Sequence, residues 1–177
     1  DLIWSFVVNN YLMGRDPFPF DLLYWNDDST NMPAAMHSFY LRKMYRDKEL
    51  TKTGSIAMLG TPIDLRKITA PAYFLSTRED HIAPWRATYA GLKLLGSKNI
   101  SFTLAASGHI AGIVNAPVKN KYCYWTSPKP GAPSGEWMDA ATQNEGSWWP
   151  HWQKWIATYA GEKTAARKVG KGIEPAP

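Results

Sequence analysis

Pro71-Ala72-Tyr73-Phe74-Leu75-Ser76-Thr77-Arg78-Glu79-Asp80-His81 is the stretch on which the fold turns. Its apolar part, Ala72 to Leu75, is too short for a helix and apolar at consecutive positions. That pattern suits a strand in a parallel sheet covered on both sides. After the Asp80 loop, Pro84 to Leu95 carries Tyr89, Leu92 and Leu95 at helical spacing, and Gly96 closes the helix. Ile100-Ser101-Phe102-Thr103-Leu104 is a second strand, with Ser107-Gly108-His109 just beyond its end. Strand, helix and strand make a right-handed crossover unit, and functional groups of open α/β sheets gather outside the carboxyl ends of the strands. Asp80 and His109 are both placed there.

On the N-terminal side the first 60 or so residues are helical and loop-rich. Leu2, Ile3, Phe6, Val7 and Tyr11 recur at helical spacing up to Gly14, and Asp16-Pro17-Phe18-Pro19 then breaks regular structure. Asp21 to Trp25 is an aromatic patch. Pro33 is expected in the first turn of a second helix, with Met36, Phe39, Tyr40, Met44 and Tyr45 on one face. On the C-terminal side, 128–135 is a Pro/Gly-rich loop. Gly146-Ser147-Trp148-Trp149-Pro150 leads into a last amphipathic helix carrying Trp152, Trp155, Ile156 and Tyr159. Residues 162–177 form an expected flexible basic tail.

The 177 residues suffice for a core, and 14% aromatic content, with nine Trp and nine Tyr, supplies large anchors for it. No apolar run approaches the roughly 20 residues that span a bilayer, so no transmembrane segment is expected. One cysteine, Cys123, excludes an internal disulfide and points to a reducing cytoplasm. The net charge of +5 owes much to the tail, where no aromatic platform accompanies the cations, so no nucleic-acid partner is expected.

A histidine base needs a carboxylate that fixes its tautomer and stabilises its charged form, and the two loops are placed to provide one. Alone, an aspartate in such a loop is more often a turn or cap residue; paired with a histidine preceded by glycine, Asp80 points to catalysis. Acid before histidine is the chain order of an α/β-hydrolase, whose nucleophile lies upstream of both on a glycine-flanked turn. No such turn occurs in this chain. Cys123, in Lys121-Tyr122-Cys123-Tyr124-Trp125, lacks flanking glycines and follows the histidine, so it is taken as incidental. His81 is expected at the surface or behind the site, His37 and His151 as structural helix residues, and neither metal nor cofactor is expected.

Three segments carry a resemblance. They are Ser76 through Trp85, Ala106-Ser107-Gly108-His109-Ile110-Ala111-Gly112, and Gly146-Ser147-Trp148-Trp149-Pro150. With Pro19 through Asn26 and Asn115-Ala116-Pro117, they closely resemble the C-terminal part of class I polyhydroxyalkanoate synthases. The resemblance implies an α/β-hydrolase fold with a helical cap, here residues 1–60, ahead of the last two core strands in a core over 61–161. It implies a Cys-His-Asp site that polymerises (R)-3-hydroxyacyl-CoA into polyester with release of CoA. His109 then matches the general base, and Asp80 the aspartate that assists it or activates the substrate hydroxyl. Trp25 matches a tryptophan of the cap and dimer contact. The implied setting is a cytoplasmic homodimer at the surface of a polyester granule. The cysteine is expected upstream, so the chain is expected to be an inactive piece of a longer enzyme. The competing readings are an esterase or depolymerase on the same fold, and a non-catalytic cap or dimerisation module that binds a granule or partner.

Overall fold

The computed structural model describes residues 2–16, 28–166 and 170. Trp25 and most of the basic tail lie outside the described residues. The chain falls into two compact units, Asp1–Lys48 and Glu49–Pro177.

In the first unit, helix Leu2–Phe6 runs on into a wider helix over Val7–Leu12. Ala34–Phe39 likewise runs on into Tyr40–Arg46. The wider turns bond i to i+5, as in Met13 N–H to the Val8 carbonyl at 3.0 Å and Asp47 N–H to the Arg42 carbonyl at 2.9 Å. Each such turn takes in one further residue, so the apolar face expected from Met36 to Tyr45 drifts round the axis after Phe39. Met36, Phe39, Tyr40 and Tyr45 are all exposed. Pro33 stands one place earlier than expected, as the extended residue before the first helical turn.

The second unit opens with a tight helical turn, Glu49–Thr51, followed by a hairpin of β1, Ala57–Met58, and β2, Thr61–Pro62. Its two turn residues, Leu59 and Gly60, have φ of 49° and 78°. Positive φ at both central positions is the turn whose twist matches that of an antiparallel pair. The sequence places its boundary near residue 60. The backbone ties the preceding segment to the second unit, through Gly54 N–H to Ile63 O at 2.9 Å and Ile63 N–H to Ile56 O at 2.8 Å.

The main sheet runs β3 (Ala72–Thr77), β4 (Ile100–Ala105), β5 (Cys123–Thr126) and β6 (Thr142–Glu145), in that order. β3 and β4 are parallel, joined through helix Trp85–Ala90 and the tighter turn Gly91–Leu94. β5 and β6 add antiparallel strands beside β4, so the expected parallel pair is extended into a mixed sheet.

Alternation along the strands divides the side chains between two faces. Phe102, Leu104 and Trp125 join Trp85, Tyr89, Leu92 and Trp137 in the core. Tyr89 and Trp137 meet Phe102 edge-on, at 4.9 and 5.0 Å between ring centroids, a favoured aromatic geometry. The Tyr89 hydroxyl donates to the carbonyls of Pro130 and Ala132, which fastens the Pro/Gly-rich loop to the helix. On the other face, Tyr73 and Tyr124 receive helix Trp149–Ala157 through His151 and Trp155. The Thr103 hydroxyl donates to Tyr73, whose hydroxyl lies 2.8 Å from Nδ1 of His151. Burial pushes the Tyr73 hydroxyl up to about 12 and His151 below its ordinary value, so this polar chain stays neutral.

Gly96 has a role other than the expected helix stop. The helix has already tightened and ended by Leu94, and a Cβ on Gly96 would lie 1.8 Å from the Arg66 carbonyl oxygen. Only glycine admits that approach.

Candidate active site

β3 and β4 end level, with Thr77 paired to Ala105. The two chains stay joined beyond the strands: Arg78 N–H donates to the Ala105 carbonyl at 2.8 Å, and Glu79 N–H to the Ser107 carbonyl at 3.1 Å. Ser107 then takes φ of 72°, an uncommon conformation for a residue with a side chain, and turns the chain back toward Asp80. The result is a 2.8 Å hydrogen bond between His109 Nδ1 and Asp80 Oδ2. The structure therefore brings together the two residues that the sequence singled out.

Asp80 is a turn residue as well as a partner of histidine. Its Oδ1 accepts the N–H groups of Ile82 at 2.8 Å and Ala83 at 2.9 Å, closing the loop that leads to helix Trp85–Ala90. These contacts hold its carboxyl down at about 2, the Ala83 N–H foremost, then His109, with partial burial opposing them. Since the folded carboxyl titrates below its unfolded value of about 3.9, its stabilising contribution is complete above about pH 4. That contribution is lost as pH falls through about 2.

An ionised carboxylate can only accept, so Nδ1 of His109 is the donor and the lone pair of the neutral ring is on Nε2. The His109 side chain is 51% exposed while that of Asp80 is 9% exposed. A partly shielded carboxylate thus orients an imidazole whose second nitrogen faces away from it.

The turn after His109 is built on a glycine. Gly112 N–H donates to Gly108 O at 3.2 Å, and Val114 N–H to Ile110 O at 2.9 Å. A Cβ on Gly112 would stand 2.3 Å from the Ala106 carbonyl oxygen and 2.6 Å from Cγ2 of Thr77. Both neighbours belong to the strand ends that carry the pair, so Gly112→Ala must shift the turn itself. A misplacement near 1 Å lowers turnover about 10²-fold. That loss is expected in kcat of a polymerase carrying the substitution, and a loss under twofold would show that the turn gives way freely. Two indoles hold the same turn from the other side: Trp148 Nε1–H reaches the carbonyls of Gly112 and Ile113, and Trp149 Nε1–H that of Ile113. No spacing rule links residue 112 to residue 148, so the sequence offered Trp148 and Trp149 only as part of a motif.

The other candidates are dispersed. His81 and His37 are exposed, and His151 bonds Tyr73 on the far face of the sheet. Cys123 lies within β5 opposite Glu145, on no sharp turn. Burial and the Glu145 charge raise its thiol against a smaller opposing effect of Arg78, so it is protonated at neutral pH. Among the described residues no three His, Cys, Asp or Glu side chains are grouped to hold a metal ion, and no helix is long and apolar enough to cross a membrane.

No protein-family model matches the chain. Individual proteins do. It is 50% identical over its whole length to the poly(3-hydroxyalkanoate) polymerase subunit PhaC of Rhizobium meliloti, covering 29% of that protein. It is 47% identical, again over its whole length, to the same subunit of Cupriavidus necator, covering 31% of it. The poly(3-hydroxyalkanoate) polymerase of Methylorubrum extorquens is 48% identical over 99% of the chain. The chain thus spans less than a third of the length of the curated relatives it matches. Identity of this order, across the whole chain and in several relatives, shows that the chain belongs to the poly(3-hydroxyalkanoate) polymerase family, matching a part of its members' length.

Proposed function

We propose that this chain supplies the histidine and aspartate of a polyester synthase whose nucleophile, a cysteine, belongs to another segment of the same polymerase. The observation that carries this is the 2.8 Å bond from His109 to a carboxylate that can only accept, which leaves Nε2 as the base. In the first step His109 takes the proton of the thiol, and the thiolate attacks the thioester carbonyl of an (R)-3-hydroxyacyl-CoA. The carbon–sulfur bond to CoA breaks, and CoA leaves with the proton that His109 returns. In the second step His109 takes the proton of a 3-hydroxyl group, which attacks the acyl thioester; the carbon–sulfur bond to the cysteine breaks, the departing thiolate receives the proton from His109, and the chain grows by one ester bond.

Of the two roles open to Asp80, orienting His109 is the better supported. Both carboxylate oxygens are already engaged, and a carboxylate with a pKa of about 2 is a poor base toward a hydroxyl. Residues 1–60 act as a cap, and Trp25 contributes to its dimer contact. The exposed aromatic side chains Trp4, Tyr11, Tyr40 and Tyr45 support the cap role, since they give the first unit an apolar surface for acyl groups or a partner. β3 lies at an edge of the main sheet, which suits a sheet continued by strands from the rest of the polymerase. The whole enzyme works in the cytoplasm at the surface of its polyester product.

The test is CoA release from (R)-3-hydroxybutyryl-CoA. The polymerase containing this chain is expected to release CoA continuously, and the 177-residue chain alone to release none. Sustained release by the chain alone would overturn the assignment of the nucleophile to another segment.

A further inference from the structure

We propose that Trp148 and Trp149 are positioning residues for His109, acting through the backbone of the turn that follows it. The inference rests on the role given to His109 above and extends it to side chains some forty positions away in sequence.

The turn from Gly108 to Val114 has few fastenings of its own. Its internal bonds are i to i+3 or i+4 contacts, at 3.2 Å for Gly112, 3.0 Å for Ile113 and 2.9 Å for Val114. It starts from a strained serine and contains glycines at 108 and 112, so its backbone has freedom that the fold must remove. Two further restraints remove it. On one side Gly112 is packed without space for a methyl group against Thr77 and the Ala106 carbonyl. On the other, Trp148 Nε1–H is shared between the carbonyls of Gly112 and Ile113 at 3.2 Å each, and Trp149 Nε1–H donates to Ile113 at 2.9 Å.

Adjacent tryptophans on one backbone usually diverge. Here the two rings stand nearly perpendicular, at 75°, and both N–H groups converge on one peptide segment. Their own base is rigid. Ser147 is buried and its hydroxyl accepts the Trp149 N–H, Trp148 stacks against Tyr73, and helix Trp149–Ala157 starts at once and is held to the sheet through His151 and Trp155. The indoles therefore transmit the position of the sheet to the carbonyls behind His109. A ring without a donor would fill the same volume and leave those carbonyls free to move.

Full-length polymerase is the system in which to test this, with phenylalanine keeping each ring and removing its donor. Trp149→Phe is expected to lower kcat about 10-fold and the Trp148→Phe, Trp149→Phe double variant about 10²-fold, with KM within twofold of the parent. A second readout separates positioning from mere support. An interaction that only holds the base in place acts in the transition state, so the loss is expected in kcat and kcat/KM equally, with turnover counted per folded enzyme. Trp152→Phe, on the same helix with its side chain exposed, is expected to leave both unchanged.

Unchanged kcat in Trp149→Phe and in the double variant would overturn the proposal. So would a fall in kcat that Trp152→Phe shares, because that is the signature of a general disturbance of the helix. Should the double variant fail to fold, Trp149→Phe decides alone, since its ring is partly exposed and loses a single bond. Parental turnover by His109→Ala would overturn this inference and the proposed function together. An inactive His109→Ala beside parental tryptophan variants would remove this inference alone.

Discussion

Replacement of His109 by alanine is expected to lower polymer synthesis by a polymerase carrying this chain about 10⁴-fold or more, while first acylation falls less. The two steps lean on the base to different degrees. A cysteine thiol is a few per cent ionised at neutral pH without help, so its attack on a thioester survives in part when the imidazole is gone. An aliphatic hydroxyl is an acid about as weak as water, far weaker than a thiol, and its attack depends on a base throughout. Loss of the base in a triad costs about 10⁴- to 10⁶-fold. The measurement is rapid-quench acylation with labelled (R)-3-hydroxybutyryl-CoA, set beside steady-state CoA release. Elongation within tenfold of the parent would remove His109 from the role of base.

The second large effect is expected from Asp80→Asn, and its argument is one of orientation. An asparagine at 80 has one oxygen and one NH₂ group to place. The oxygen is drawn to the Ile82 and Ala83 N–H groups, at 2.8 and 2.9 Å from the present Oδ1, since turning the amide round would set donor against donor. The NH₂ then faces Nδ1 of His109, which must accept, and the ring proton moves to Nε2, where the lone pair is needed. The residue count and shape are unchanged and the base is lost to the wrong tautomer. The corresponding exchange in a serine-protease triad lowers kcat about 10⁴-fold, and elongation here is expected to fall by about the same factor. Acylation is again the less affected step. A gap between the two steps therefore does not require Asp80 to touch the substrate hydroxyl. Elongation near the parental rate, or acylation falling further than elongation, would count against the assignment.

The parts of the fold legible in the sequence are those in which side-chain pattern and burial coincide. Ala72 to Leu75 is an apolar run and Ile100 to Leu104 alternates apolar with hydroxyl residues, each bounded by turn residues, and the strands found there extend them only to Thr77 and Ala105. The Asp80–His109 pair was legible for the same reason, because its loops begin where those runs stop. β5 and β6 were not. β6 is Thr-Gln-Asn-Glu, a polar and mostly exposed edge strand held by backbone pairing to β5, and backbone pairing leaves no mark on composition. Gly96 and Gly112 fail differently. Each was visible as a glycine, but what demands it is a carbonyl from another element, and only the folded chain brings the two together.

The level ending of β3 and β4 has a meaning beyond geometry. A slip of one residue between them would displace Asp80 relative to His109 by about 3.3 Å and turn every side chain of the slipped strand to the opposite face. The 2.8 Å bond has no tolerance for such a shift. Under the proposed function a misassembled molecule would therefore fail at elongation, and polymer would accumulate only from chains whose sheet has closed in step. On the proposed function, enzymatic output would then be a census of correct folding, with the pair as the protein's own quality mark.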